Sequence, residues 1–187
     1  DIWQGKLPPP KVEIIQRTKG RDGLLCLLTD PIDREALDGI GSSLKVISNC
    51  AVGYDNIDIE EATRRGIPVG NTPGILTDTT ADFAFGLLMS AARRVVEADR
   101  YVRGGKWQTW ELTLLLGKDI HNATIGIVGF GRIGQAVARR AAGFGMQILY
   151  HDPGMKADPA AAELNATYVD LEELFRRSDF VSLHVPL

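Results

Sequence analysis

The chain has 187 residues, 44% of them hydrophobic and 24% charged, with a formal net charge of −3. That is enough apolar material for one large domain or two small ones, and it excludes a disordered chain. The charge leaves no footprint for nucleic acid or an anionic membrane, and no apolar run approaches the roughly 20 residues of a membrane-spanning helix. Gly23 to Leu28 (GLLCLL) is a short apolar run between turn signals and predicts a buried strand. Asp33 to Leu37 predicts a short helix, and Lys45 to Ser48 (KVIS) a second strand. Cys26 and Cys50 both sit in apolar stretches, which predicts two reduced core cysteines rather than a disulfide or a metal pair. Asp58-Ile59-Glu60-Glu61 fits a helix with an acidic N-cap and a glutamate at N3, and Gly66 is its expected stop. Pro68 to Gly70 is a brief strand. Strands alternating with helices predict a parallel α/β sheet.

A boundary is expected near Pro73-Gly74, with a long helix over Thr77 to Arg103 crossing it. Phe83, Leu87, Ala91 and Val95 recur at helical spacing as its apolar stripe, with Ala84, Leu88 and Val102 nearby. Arg93, Arg94, Arg100 and Arg103 gather toward its C-terminal half, where they suit the helix dipole, and Gly104-Gly105 end it. Lys106 to Ile120 reads as an irregular arm carrying Trp107, Trp110 and Leu114-Leu115-Leu116. There are no internal repeats and no low-complexity tracts.

A second α/β run opens at Thr124 with TIGIVGFGRIGQ. Ile125 to Val128 predicts a buried strand, and Ile133 to Phe144 an apolar-periodic helix. Between them Gly129, Gly131 and Gly134 form G-x-G-x-x-G in the strand–turn–helix context that a dinucleotide fingerprint requires. Gly129 serves the tight turn, Gly131 lets a pyrophosphate approach the backbone, and Gly134 lets the helix pack on the strand. The helix N-terminus offers free N–H groups and a partial positive charge. Gln147 to Tyr150 predicts the next strand. Asp152 lies 18 residues after Gly134, where an acidic side chain takes the adenosine ribose hydroxyls. It should repel a 2′-phosphate, and no arginine follows it within HDPGMKAD, so NAD is expected over NADP.

Two features stay open on the residues alone. NCAVGYDNID (residues 49 to 58) is either an anion-binding nest for a carboxylate or a plain glycine turn. His121, His151 and His184 each sit at the edge of an element without a carboxylate partner in sequence, and each is read as non-catalytic. The closing FVSLHVPL predicts a buried strand bounded by Pro186. No secretory or transit segment is visible at residue 1, and the opening DIWQGKLPPPKVEIIQ reads as the middle of a longer chain.

Taken together, DGLLCLLTDPID, LKVISNCAVGYDNID, RRGIPVGNTPGILTDTTADFAFGLL, GKW, GFGRIGQAVARRAAGFGM, LYHDP and SDFVSLHVPL resemble the D-isomer-specific 2-hydroxyacid dehydrogenases, and most closely the glyoxylate/hydroxypyruvate reductase branch. The resemblance implies two doubly wound parallel-sheet domains, both incomplete in this chain. Residues 1–73 would belong to a flavodoxin-like substrate domain and residues 74–187 to a Rossmann dinucleotide-binding domain. The helix 77–103 would link them, and the arm 106–120 would serve a homodimer. It implies that the turn at Val52-Gly53 holds the substrate carboxylate through backbone amides. It implies further that Thr77 touches the cofactor, Arg132 and Ile133 the pyrophosphate, Asp152 the ribose, and Val185-Pro186 the cofactor's flank.

His184 matches a cofactor-side position. The family's catalytic arginine, acidic residue and histidine fall past the point matching Leu187, and its first strand falls before Asp1. The implied chain is thus a fragment, inactive alone, of a cytoplasmic NAD(P)-dependent enzyme reducing small 2-keto acids such as glyoxylate or hydroxypyruvate to D-2-hydroxy acids. Two other readings stand beside it: a nucleotide-sensing corepressor-like interaction protein on the same scaffold, and a naturally truncated, inactive relative that dimerises. The clamp at Val52-Gly53 and the stretch TDTTADFAF favour the enzyme.

Overall fold

The computed structural model describes residues 2–156 and 158–185. It divides into two compact units, one running to Leu76 and the other starting at Thr77.

The first unit begins with helix α1 (Lys11–Thr18), followed by strand β1 (Gly23–Cys26), helix α2 (Arg34–Ile40), strand β2 (Val46–Asn49), helix α3 (Ile59–Arg64) and strand β3 (Val69–Gly70). The three strands form one parallel sheet in the order β1-β2-β3. Its core joins Ile14, Ile32, Leu37, Ile40, Ile47 and Ile57. Aspartates start two of its helices. The Asp33 carboxylate accepts the Ala36 N–H at 3.0 Å, and the Asp58 carboxylate accepts the Glu61 N–H at 2.9 Å. Glu61 does not close the box by reaching back to residue 58. Its buried carboxylate accepts from Arg64 Nε at 2.9 Å and Arg65 Nε at 2.6 Å, and the Arg34 guanidinium lies at 3.4 Å.

Two expectations fail in this unit. GLLCLL is not buried throughout, because β1 has β2 on one side only and Leu25, Leu27 and Leu28 are exposed. Cys50 is exposed while Cys26 is buried. Side chains alternate along a strand, so with Asn49 turned into the core its neighbour Cys50 faces out. The Cys26 thiol is pushed up to about 11, first by burial and then by the nearby Asp30 carboxylate.

The second unit runs through α4 (Thr77–Ala92), α5 (Val95–Arg103), β4 (Thr124–Val128), α6 (Arg132–Gly143), β5 (Gln147–His151), α7 (Pro159–Glu163), β6 (Thr167–Tyr168), α8 (Leu171–Arg177) and β7 (Phe180–Leu183). Its four-stranded sheet is parallel in the order β6-β5-β4-β7. Both faces of β4 and β5 are covered, as parallel sheets require. Ile125, Ile127, Ile148 and Tyr150 pack with Phe85, Ala136, Val137 and Ala141 from the helices of one layer. Leu149 and Leu174 pack on the other face. Gly126 serves that second layer, since a Cβ there would collide with Ser178 and Leu174 of α8.

The long helix expected over residues 77–103 is two helices. Arg94 adopts a left-handed φ of 54° between α4 and α5. The reason is tertiary: the Ala92 carbonyl accepts the Lys118 N–H at 2.8 Å, so the returning chain caps α4. The stripe Phe83, Leu87, Ala91 and Val95 is exposed, and α4 buries Ala81, Phe85 and Ala92 instead. The closing strand β7 is likewise not fully buried, with Val181 and Leu183 exposed where only β4 flanks it. Among the described residues, 106–120 form no helix or strand, and Trp107, Trp110, Leu112 and Leu116 are exposed. No helix is long and apolar enough to cross a membrane.

Candidate functional site

In the second unit β4, first of its four strands in the chain, lies between β5 and β7. Winding reverses there, and in an open doubly wound sheet that reversal places the ligand crevice past the C-terminal ends of the two strands. The glycine loop occupies that position. Gly129 has φ +88°, and a Cβ on it would fall well inside contact distance of the His184 carbonyl. Gly134 faces the Gly129 carbonyl so closely that a Cβ would likewise collide. Gly131 has open space around it and is the N-cap of α6, with no side chain to cap the helix. Arg132 and Ile133 are the first two residues of α6, whose N–H groups have no intrahelical acceptor. Backbone donors and the positive end of a 12-residue helix therefore meet at an uncapped terminus, which suits an anionic diphosphate.

Phe130, between the first two glycines, is held from every side. Its ring is fully buried and stacks on Tyr150 at 4.1 Å. Its N–H donates to Asp152 Oδ2 at 2.8 Å, and its carbonyl accepts from Gln135 Nε2 at 3.0 Å. Asp152 stands just past the end of β5, half-buried, and its other oxygen accepts the Gly154 N–H at 2.9 Å. Each carboxylate oxygen has a second lone pair for a hydroxyl.

Thr77 is the first residue of α4, partly exposed. The first turns of α4 are tied to α6 by Arg140, which donates to Asp82 Oδ1 at 2.6 Å and to the Asp78 carbonyl at 3.2 Å. Val185 is half-exposed, and its Cγ1 lies against Gly129. Pro186 lies outside the described residues. The His184 N–H donates to the Val128 carbonyl at 2.7 Å, and its Nε2 is 2.8 Å from Ser182 Oγ. Burial pushes the His184 imidazole below its ordinary pKa. His151 Nδ1 meets the Val169 carbonyl at 3.0 Å, and His121 is exposed.

In the first unit, the Val52 carbonyl accepts from Asn71 Nδ2 at 2.8 Å and the Gly53 carbonyl from Asn49 Nδ2 at 2.9 Å. In a trans peptide the N–H points opposite the C=O. With both carbonyls held by asparagines, the Gly53 and Tyr54 N–H groups turn the other way, as two adjacent donors. Asn49 is itself buried and braced by Asn56, which also donates to the Leu27 and Asp30 carbonyls.

Asn49, Asn71, Gln135 and Arg140 escaped the sequence reading. The one available signal was Asn49, a polar residue at an inward position of an apolar strand. An apolar groove of about 360 Å³ lies between α4 and β7, away from the glycine loop, and its only polar side chain is Ser182. Among the described residues no cluster of His, Cys, Asp or Glu is placed to hold a metal ion.

Residues 85–187 match the family model of the D-isomer specific 2-hydroxyacid dehydrogenase, NAD binding domain. The whole chain is 59% identical, over 188 residues, to a glyoxylate reductase of Korarchaeum cryptofilum, covering 56% of that protein. It is 51% identical over 191 residues to a glyoxylate reductase of Thermococcus litoralis, covering 57% of it. The crystal structure of the TT0316 protein from Thermus thermophilus superposes with a TM-score of 0.88 at 46% identity, over all of this chain and 58% of that one. The chain thus spans about half the length of the curated relatives it matches.

Proposed function

The chain belongs to the D-isomer specific 2-hydroxyacid dehydrogenases and carries their NAD-binding domain, and from that premise we propose that it is part of an oxidoreductase that reduces a small 2-keto acid, of the glyoxylate or hydroxypyruvate kind, to the D-2-hydroxy acid. Bound NADH supplies the hydride. The observation that carries this reading is the glycine loop at the winding reversal, with Asp152 bonded to it at 2.8 Å. In this reading the second unit is the cofactor domain. Gly129, Gly131 and Gly134 shape the loop, Arg132 and Ile133 present their N–H groups to the diphosphate, and Asp152 accepts from the ribose diol. Thr77 and Val185 flank the cofactor.

The first unit contributes to the substrate domain. Gly53 and Tyr54 offer N–H donors to the substrate carboxylate, so that Val52-Gly53 acts as a clamp that Asn49 and Asn71 keep in orientation. We assign no proton-transfer role to a residue of this chain. Its three histidines are exposed, bonded to a main-chain carbonyl, or paired with a serine. Turnover is therefore not expected of these 187 residues alone, and binding is the measurement to make.

Asp152→Ala is expected to weaken NADH binding roughly 10- to 100-fold, the range for a lost charge-assisted hydrogen bond. Asp152→Asn, which keeps an acceptor for Phe130, should lose less. The parent chain should bind NADH in preference to NADPH, because a carboxylate repels a 2′-phosphate. Fluorescence titration with both nucleotides measures this, and equal affinity for the two would remove the role given to Asp152.

The same reading makes the protein a two-fold homodimer through the second unit. Phe83, Leu87, Trp107, Trp110 and Leu112 leave apolar side chains exposed on α4 and the arm, and exposed apolar surface of this kind marks an interaction site. Sedimentation is expected to give a dimer at micromolar concentration, shifted toward monomer in Leu87→Glu. A parent that sediments as a monomer would rule the dimer out.

A further inference from the structure

We infer that Gln135 is a positioning residue of the cofactor loop, orienting the Phe130–Gly131 peptide so that the Gly131 N–H faces the diphosphate. The inference rests on the cofactor reading proposed above. Gln135 sits in the first turn of α6, directly after the last glycine of the loop. Its side-chain amide makes two bonds, Nε2 to the Phe130 carbonyl at 3.0 Å and Nε2 to Asp158 Oδ2 at 3.3 Å. A primary amide has two hydrogens, one for each acceptor. A flipped amide would aim its oxygen at a carbonyl and a carboxylate together, so the donor end is fixed. Asp158 is fixed in turn, because its other oxygen accepts the Ala160 N–H at 2.7 Å and starts α7.

The consequence lies on the opposite side of the peptide. The Gln135 backbone N–H takes the Gly131 carbonyl at 2.9 Å, while its side chain takes the Phe130 carbonyl. One residue thus draws two successive loop carbonyls toward the helix. Trans geometry then sends the Gly131 and Arg132 N–H groups the other way, out of the helix terminus. Asp152 governs the preceding peptide through the Phe130 N–H. Without the Gln135 amide the Phe130 carbonyl has no partner there, and the Phe130–Gly131 peptide is free to rotate about the flanking bonds of a glycine.

The test uses the full chain with NADH as probe and two variants. Gln135→Met keeps the length and removes both donors. Gln135→Glu keeps the shape but presents a carboxylate to Phe130 and Asp158. Around position 135 stand the Asp158 carboxylate, Asp152 on the far side of Phe130, and the Tyr150 hydroxyl, which donates to the Lys156 carbonyl. Gln135→Met should raise the Kd for NADH about tenfold, the scale of one lost hydrogen bond. In the ligand-free chain it should also shift the Gly131 amide resonance while the β4 and β5 amides keep theirs. Gln135→Glu should bind more weakly still at neutral pH and regain affinity on acidification, when a protonated carboxyl again has a donor.

A purely structural role would show no such rescue. Unchanged NADH affinity with an unshifted Gly131 resonance in Gln135→Met would overturn the inference. So would a Gln135→Glu variant that binds like the parent at neutral pH. A parent chain that does not bind NADH would overturn the cofactor reading instead, and the Gly131 resonance would still decide whether Gln135 sets the peptide.

Discussion

Gly129→Ala is expected to unfold the glycine loop and to abolish measurable NADH binding. Two costs fall on one residue. Its φ of +88° suits glycine alone, and an L side chain held in a left-handed conformation costs roughly 1–2 kcal/mol. The new Cβ also meets the main chain just past β7 at the His184 carbonyl, and forced overpacking costs typically about 1–3 kcal/mol. The obstacle is backbone, already committed to β4 through the His184 N–H, and cannot swing aside. Set against a domain stability of roughly 5–15 kcal/mol, the sum is a large fraction. Gly131→Ala is the control. Gly131 has negative φ and open space, so its alanine variant should melt like the parent and still lose affinity, because the methyl occupies the approach to the loop. Urea unfolding and NADH titration of both variants separate the two effects. A Gly129→Ala chain with parental stability would show that the loop yields where it is drawn here as rigid.

The second large effect is expected in the other unit. Glu61→Gln should loosen the sheet β1-β2-β3, with exchange of the Ile47 and Cys50 amides faster by roughly 10- to 100-fold. Both amides report on that sheet through bonds to Pro68 and Cys26. Glu61 is almost wholly buried and answers three arginines. Arg34 and Arg64 are largely exposed, and their shares are screened as surface pairs are. Arg65 is not: it is mostly buried and also donates to the Leu37 carbonyl at 2.7 Å, which fastens α3 to α2. Removing the carboxylate leaves that guanidinium only the exposed Asp38 carboxylate and the Leu37 carbonyl as partners.

The bonds from Arg64, then Arg65, pull the Glu61 carboxyl from its ordinary 4.5 down to about 2. A depressed acid stabilises above its unfolded value. The contribution is therefore complete above about 4.5 and is lost as the pH falls from there through about 2. Glu61→Gln should erase that acid-dependent part of the stability. Identical acid unfolding of parent and variant would sink the assignment.

The glycine loop could be read in the sequence because its requirements are local. Turn, close approach and helix packing each fall on a named glycine within one short stretch, and Asp152 follows from the length of one helix and one strand. The apolar face of α4 could not be read in the same way. The helix carries two apolar rows, Phe83-Leu87-Ala91 and Ala81-Phe85-Ala92, and period alone does not say which row meets its own core. The break at Arg94 is set by Lys118, far along the chain, and no propensity at Ala92 announces it. Asn71 and Gln135 act on main-chain carbonyls that only the folded chain brings to them, so residue type and spacing were silent about both, and Asn49 showed only as a polar residue inside an apolar strand.

The bond from the Phe130 N–H to Asp152 has a consequence for how cofactor preference evolves, or is engineered, at this position. The carboxylate proposed to select the nucleotide is also a strut of the glycine loop. A replacement that welcomes a 2′-phosphate, such as arginine or lysine, brings donors only and leaves a main-chain N–H without its acceptor. Asparagine, serine or threonine keeps an acceptor and surrenders the charge. A changeover from one nucleotide to the other along this chain therefore runs through a short-armed polar residue at position 152, with the cation for the phosphate recruited from a neighbouring site.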